Sequence, residues 1–365
     1  MGSIELVCPA GSPAMLEAAI EAGADSVYCG LRDETNARNF PGLNFDAEEL
    51  ARAVDFAHRR GAKVLVAINT FARAGGEDRW RASAKTAIGA GADAIIAADL
   101  AVLAHVRDLS PTMRLHLSVQ AAANTPEAIR FYVETFGVRR VVVPRVMSAP
   151  EIAELIKESS AEVEAFVFGG LCVMTEGRCA LSSYVSGQSP NLSGVCSPPE
   201  AVSFERTAEG MVSRLSGLAL DKTPSGATAG YPTLCKGRFA ADGEAAYLFE
   251  EPTSLNAMGL LARLGEAGVT AVKIEGRQRG KAYVARVTRA FRKAIDALDR
   301  GESTAPYEHM LTDLAEGCPV NPWSAASISA RSCAESASRW PRRPCWRRQM
   351  SCVRPARRWS GPPLA

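Results

Sequence analysis

Seven short runs rich in β-branched and other apolar residues, each closed by Gly, Pro or a polar side chain, recur early in the chain: Ile4–Cys8, Asp25–Cys29, Lys63–Asn69, Ala92–Asp99, Arg114–Val119, Arg139–Pro144 and Glu162–Phe168. Their predominantly apolar character points to strands covered on both faces, as in a parallel sheet flanked by helices. The stretches between them carry helix-start signals: Ser12-Pro13, Asp46 and Thr125-Pro126 each precede an amphipathic segment, and several segments end in Gly. An eighth run, Thr270–Ile274, follows an interruption at roughly 170–250 and a helix expected over Thr253–Gly268; a further helix is expected at about 281–299. Eight strands alternating with helices predict an α/β fold, a TIM-barrel-like (β/α)8 barrel with some distortion and one large insertion after strand seven. An open doubly wound sheet is the alternative.

The expected organisation is a barrel domain over 1–317, carrying the insertion at 170–250, and a tail over 318–365. The tail holds four of the five Trp and shows no amphipathic period. From Trp323 to the end it has nine Arg, no Lys and one acid, which leaves 33 basic and 39 acidic side chains in residues 1–322. The folded part is therefore mildly acidic, and the tail is expected to be disordered, resembling an out-of-frame extension more than a nucleic-acid-binding arm. No run of about 18 apolar residues and no signal-type leader is seen, so a cytoplasmic location is expected.

In a barrel of this type, reacting groups stand at the carboxyl ends of strands and in the loops that follow. Cys8, Cys29, Asn69, Asp99, His116, Gln120, Arg145, Cys172, Glu275 and Arg277 all fall at or just beyond such ends. Each could equally belong to a structural polar layer. Ten cysteines in a reducing compartment read as metal ligation, redox chemistry or burial rather than a disulfide framework. Six residues separate Cys172 from Cys179, sixteen separate Cys179 from Cys196, and thirty-eight separate Cys196 from Cys235, with glycines around them. Four thiolates can complete a cubane or a tetrahedral zinc site; spacing alone leaves cluster, zinc and incidental burial open. Cys8 and Cys29 are expected to be core, and Cys318, Cys333, Cys345 and Cys352 have no assigned role.

The segments LVCPAG, DSVYCGL, ETNARNFPGLNF, AINTFA, LHLSVQA, VVVPRV, GGLCVMTEGRCALSSY, GYPTLCKGR and VKIEGRQR occur in this order from about residue 4 to residue 317. In them the sequence resembles the collagenase-like peptidase family, peptidases of unknown catalytic type, and within it the branch that serves ubiquinone biosynthesis. The resemblance implies a 4Fe-4S cluster on Cys172, Cys179, Cys196 and Cys235, and an oxygen-independent hydroxylase acting on the ubiquinone ring. It further implies a heterodimer with a homologous UbiV-like subunit, a UbiT-like lipid carrier for the polyprenylated quinone precursor, and prephenate as an organic oxygen donor. RNA hydroxylation, known in the wider family, and a scaffold role with a structural cluster are the alternatives. A peptidase is not favoured, because no G-x-S-x-G, H-E-x-x-H or Cys–His arrangement is found. The usual ending after Gly317 is missing, which puts barrel closure and partner contact at issue.

Carboxylate donors call for cations at the mouth, and Arg38, Arg145 and Arg277 are the candidates, with Gln120 as a further substrate contact. The structural alternative pairs each arginine with Asp99, Glu176 or Glu275. His116 and Glu275, at strand ends, are the expected proton-transfer groups.

Overall fold

The first seven runs are strands in the computed structural model: β1 (Glu5–Pro9), β2 (Ser26–Gly30), β3 (Lys63–Ile68), β4 (Ala94–Ala97), β5 (Arg114–Leu117), β6 (Arg140–Val142) and β7 (Glu162–Gly170). Helices α1 (Pro13–Glu21), α2 (Ala47–His58), α3 (Asp78–Gly89), α4 (Leu100–Leu109), α5 (Pro126–Phe136) and α6 (Ala149–Glu158) fill the six intervals. The expected start signals act as caps. Ser12 accepts from the Met15 amide, Thr125 from the Ala128 amide, and Asp46 forms a reciprocal box with Glu49. Asp99, read as a candidate functional group, caps α4 by accepting from the Ala101 and Val102 amides.

The insertion opens with α7 (Ala180–Ser186), then forms an antiparallel sheet of β8 (Val202–Thr207), β9 (Gly210–Leu215) and β10 (Leu218–Pro224), and a hairpin of β11 (Arg238–Ala241) and β12 (Glu244–Tyr247). Leu215, Leu220 and Leu234 make a small core of their own, against which Leu181 and Val185 of α7 pack. The chain returns through β13 (Ser254–Asn256), which pairs antiparallel with Phe168–Gly170 at the end of β7. Only then comes the helix expected over Thr253–Gly268. It is shorter, α8 (Leu261–Glu266), because the segment before it is taken by strand pairing with β7 and by a 3-10 turn at Met258–Leu260.

β14 (Ala271–Ile274) completes the barrel by pairing in parallel with β7 on one side and β1 on the other. With β6 paired to β7, the eight parallel strands close on themselves. α9 (Lys281–Asp299) lays Val284, Val287, Phe291, Ala294 and Ile295 over β1 and α1 at helical spacing, and each larger apolar side chain so buried contributes about 1.5–3 kcal/mol. The short α10 (Ala305–Glu308) follows. Cys8 and Cys29 face this outer layer as buried core, and the Thr288 hydroxyl donates to Cys8 Sγ at 3.2 Å. Burial pushes both thiols up to about 12, as expected of inert core cysteines.

The structure describes residues 4–311, except Pro41, Leu171, Val173, Thr175, Gly177, Arg178, residues 190–195, Thr228, Gly230, residues 242–243, residues 248–253 and Gln278. The expected tail at 318–365, with its four cysteines, lies outside the described residues. Among the described residues no helix is long and apolar enough to cross a membrane.

The barrel interior has two polar layers. The lower one, toward the amino ends of the strands, is an ion-pair network. Arg140 reaches Glu5 (2.7 Å), Glu162 (2.8 Å) and Glu164 (3.4 Å), Lys273 reaches Glu164 (2.6 Å), and Arg114 reaches Glu162 (2.5 Å). Ser26 also donates to Glu5. Above this layer, Tyr28 and Phe166 carry the interior toward the mouth; Lys273 Nζ lies 4.0 Å from the Tyr28 ring centroid.

Candidate active site at the barrel mouth

The loop after β2 is shaped by its own asparagines. Asn36, fully buried, donates to the Leu31 carbonyl and to Asn44 Oδ1, and its Oδ1 accepts from the Arg38 amide. Asn44 donates to the Arg38 carbonyl from a left-handed backbone (φ 73), a conformation Asn tolerates better than most residues. Asn69 accepts from the Ala37 amide and donates to Ser118 at the end of β5, which ties the loop to the barrel rim. Arg38 is thereby held over the mouth.

Glu275, just beyond β14, is the centre of the charged group there. Its Oε1 accepts from Arg38 (3.0 Å) and its Oε2 from Arg145 (2.7 Å). Arg145 also binds Glu176 at 2.5 Å and lies 3.7 Å from the Phe166 ring centroid; its Nε has no hydrogen-bond partner among the described residues. Burial alone would raise the Glu275 carboxyl, but Arg145 and then Arg38 outweigh it and hold the group at about 2. Two glycines let the backbones close up. A Cβ on Gly11 would collide with the Arg277 carbonyl oxygen, and one on Gly169 (φ +113) would stand 2.6 Å from that of Glu275.

Arg277 differs from the other two arginines. Its Nη1 donates to Asn36 Oδ1 at 2.7 Å and its guanidinium lies 5.4 Å from the Tyr28 ring centroid, but among the described residues it makes no ion pair. Burial pulls it down to about 10, so it remains a cation at neutral pH.

The expected site residues therefore separate. Arg38, Arg145, Glu275 and Arg277 meet at the mouth. Gln120, half-buried in a 3-10 turn after β5, also lies on the rim, and its side-chain amide makes no hydrogen bond among the described residues. Glu275, expected as a proton-transfer group, is bonded through both oxygens to Arg38 and Arg145, which hold its carboxyl low. His116, the other expected proton-transfer group, lies deeper. It is 1% exposed, one interior position below Ser118, and its Nε2 accepts from Arg114 at 3.0 Å. Burial, then Arg140 and Arg114, press its pKa well below the ordinary histidine value, so it belongs electrostatically to the lower layer. Asn36 and Tyr28 were missed. Asn36 lies within the motif ETNARNFPGLNF, and Tyr28 is a polar-tipped aromatic inside an apolar run, which marks a buried hydroxyl in need of a partner; it donates to the Ile274 carbonyl at 2.9 Å.

The four insertion cysteines form no disulfide among the described residues, and each is partly buried. Cys172 lies within electrostatic reach of Glu176, Arg145 and Cys196, and Cys196 within reach of Arg38 and Cys179. Cys179 immediately precedes α7, and Cys235 lies in the 3-10 turn Leu234–Lys236 that packs on that helix. Among the described residues no three His, Cys, Asp or Glu side chains converge on a point as ligands of a single metal ion would. A cubane places its inorganic core between the thiolates and holds them farther apart, and soft sulfur donors beside two arginines suit such an anionic group.

The model of peptidase family U32 matches residues 11–322. The chain belongs to that family. Relatives within it include tRNA hydroxylation protein P1 of Bacillus subtilis, 31% identical over 80% of this chain and 63% of its own length. The tRNA hydroxylation protein P of Escherichia coli is 31% identical over 86% of this chain and 72% of its own. The 23S rRNA 5-hydroxycytidine C2501 synthase of Escherichia coli is 28% identical over 86% of this chain but 43% of its own length. This U32 chain thus spans a little under two thirds of the first of these relatives and less than half of the last.

Proposed function

We propose that this chain is the cluster-bearing component of an oxygen-independent hydroxylase that acts on a flat unsaturated ring. The observation that carries the reading is the Arg145–Glu176 pair at 2.5 Å, which ties the cysteine-bearing loop to the charged barrel mouth. Cys172, Cys179, Cys196 and Cys235 would hold a 4Fe-4S cluster, which when bound supplies one-electron chemistry. Arg38 and Arg145, fixed by Glu275, set the field between cluster and mouth, and the Tyr28 and Phe166 rings line the interior beneath. Anaerobic purification followed by iron and sulfide analysis tests the assignment. About four irons per chain, lost together in each single Cys→Ala variant, support it; stoichiometric zinc, or iron retained in two or more variants, refutes it.

The names of the relatives favour RNA as the substrate, and this is the reading the comparisons support best. A second reading, a UbiU-like hydroxylase of the ubiquinone ring working with a UbiV-like subunit, a UbiT-like carrier and prephenate as oxygen donor, is favoured by a different observation. Residues 1–322 carry 33 basic against 39 acidic side chains, a poor balance for a surface that must hold a polyanion. Deleting the gene separates the two. Loss of hydroxylated nucleosides with normal anaerobic ubiquinone establishes the first; loss of ubiquinone with intact nucleosides establishes the second.

A further inference from the structure

The three-stranded sheet of the insertion has two edges, and they are built differently. β10 carries a register shift between Ala219 and Asp221, a lysine at Lys222 and a proline at Pro224, and β11 lies against it. Features of this kind keep a further strand from adding to an edge. β8 has no proline, no lysine and no bulge. Its six residues pair with β9 in one unbroken register, Ser203 to Arg206 are exposed, and among the described residues no strand pairs on its other side. Phe204, 48% exposed, stands in the middle of this open edge.

The edge has a definite pattern. The Ser216 amide donates to the Ala201 carbonyl at 2.7 Å, and these two residues stand opposite one another in the register that pairs Val202 with Leu215. Bonding direction alternates along an antiparallel strand, so Ser203 and Glu205 turn their backbone groups to β9, while Val202, Phe204 and Arg206 turn theirs outward. The same alternation puts the side chains of Val202, Phe204 and Arg206 on one face, together with Leu215 of the small core. Ser203 and Glu205 share the other face, where Arg214 holds Glu205 at 2.8 Å.

We propose that the β8 edge is the docking surface for a second copy of this chain, the two strands pairing antiparallel about a two-fold axis at Phe204. An axis normal to the sheet keeps each side chain on its own face, so one residue must stand opposite its own counterpart. At Glu205 or Arg206 that would set like charges against each other, which destabilises a cross-strand pair, and an axis nearer either end leaves half or more of the strand without a partner. At Phe204 it brings two rings together, lays the stem of Arg206 over Val202 of the second copy, and sets Ser203 opposite Glu205 of the second copy. The two charged residues thus leave the edge open and select one register. In that register the edge is complementary to itself, which is what an identical partner requires. About six backbone hydrogen bonds form, two for each pair of outward-facing residues. α7, which begins just after Cys179, packs on the same small core, so the contact couples two thiol-bearing stretches; the pairing itself requires no cluster and no turnover.

The test is the self-association of the full chain, purified anaerobically and followed by analytical ultracentrifugation from about 1 to 200 μM, because a single strand edge is a small interface and gives a weak, reversible dimer. Phe204→Lys sets two ammonium groups together at the axis and weakens the dimer by about tenfold or more, whereas Phe204→Leu keeps the apolar contact and stays within about threefold. Leu218→Lys, on the β10 edge, also stays within about threefold. So does Glu205→Gln, because Glu205 faces a serine; tenfold tightening there would move the axis to Glu205 and overturn the register. Deuterium uptake by the peptide spanning β8 falls with rising concentration in wild type and not in Phe204→Lys. These side chains are exposed, and circular dichroism matching wild type shows that each variant is folded. A wild-type chain that stays monomeric throughout overturns the proposal, as does a dimer indifferent to Phe204→Lys or one lost with Leu218→Lys. Protection of β8 that does not change with concentration in a monomer gives the edge to another segment of the same chain and overturns it too.

Discussion

The two ends of the barrel interior are built from the same residue types and treat them oppositely. Below, Arg140, Lys273 and Arg114 are matched to Glu5, Glu162 and Glu164 in a closed network. Above, among the described side chains, three arginines share two glutamates, before the charge of any bound cluster is counted. Buried ion pairs are expensive to form and weak evidence of added stability, but breaking one leaves an uncompensated charge. The lower layer therefore acts as a plug that tolerates no loss, while the described side chains of the mouth are not matched one to one.

The comparison is broken most severely at Arg140. Arg140→Met leaves Glu5 without a cation among the described residues and takes one of two cations from Glu162 and from Glu164, so we expect a loss of about 3–5 kcal/mol in urea unfolding, largely recovered when Glu5→Gln is added. A loss below about 1 kcal/mol would mean that water, not protein, solvates this layer.

Glu275→Gln comes next, at about 3 kcal/mol near neutrality, because the folded state holds this carboxyl at about 2 against an ordinary 4.5. The depressed value fixes the sign. The contribution is complete above about pH 4.5, falls as the pH drops toward 2, and is gone below it, so the stability curves of wild type and variant should converge there. Curves that stay parallel across this window contradict the assignment.

Gly169→Ala tests how closely the mouth is packed. A positive φ and a Cβ 2.6 Å from the Glu275 carbonyl predict about 2 kcal/mol of destabilisation, read as a lower melting temperature together with weaker iron retention. Tyr28→Phe, between the two layers, is the smallest. Losing one hydrogen bond to the Ile274 carbonyl costs about 1 kcal/mol, and an unchanged midpoint would show that the hydroxyl only fills space.

The barrel was legible because strands covered on both faces leave little to interpret: the run Lys63–Asn69 becomes β3 at Lys63–Ile68, and Thr270–Ile274 becomes β14 at Ala271–Ile274. The small sheet of the insertion was not anticipated, although its Ser216-Gly217 turn, with both residues at positive φ, suits a tight hairpin. β13 could not be foreseen, since three residues take their conformation from the distant edge of β7 rather than from local preference. The mouth was half legible. Strand-end position picked out Arg145, Glu275 and Arg277, and the loop motif picked out Arg38. What separates Arg277 from the other two depends on where Glu275 and Glu176 come to rest, and contacts between residues 130 or 237 positions apart leave no local trace. The surroundings of His116 were not legible for a related reason. Register places it beside Arg140, and the neighbouring strand decides its electrostatics.

The return strand β13 has a consequence for how such a chain can diversify. Ser254 is paired with Gly170, so the insertion leaves the barrel and rejoins it at two adjacent backbone positions. Whatever is threaded between them is joined to the barrel backbone at a fixed pair of sockets, and the entropy of closing a longer excursion grows only slowly with its length. The interchangeable part of this architecture is thus the stretch that bears the thiols. A graft of the corresponding stretch from a relative, cut at Gly170 and Ser254 and keeping a carboxylate at the place of Glu176, should be accepted by the barrel as a cassette.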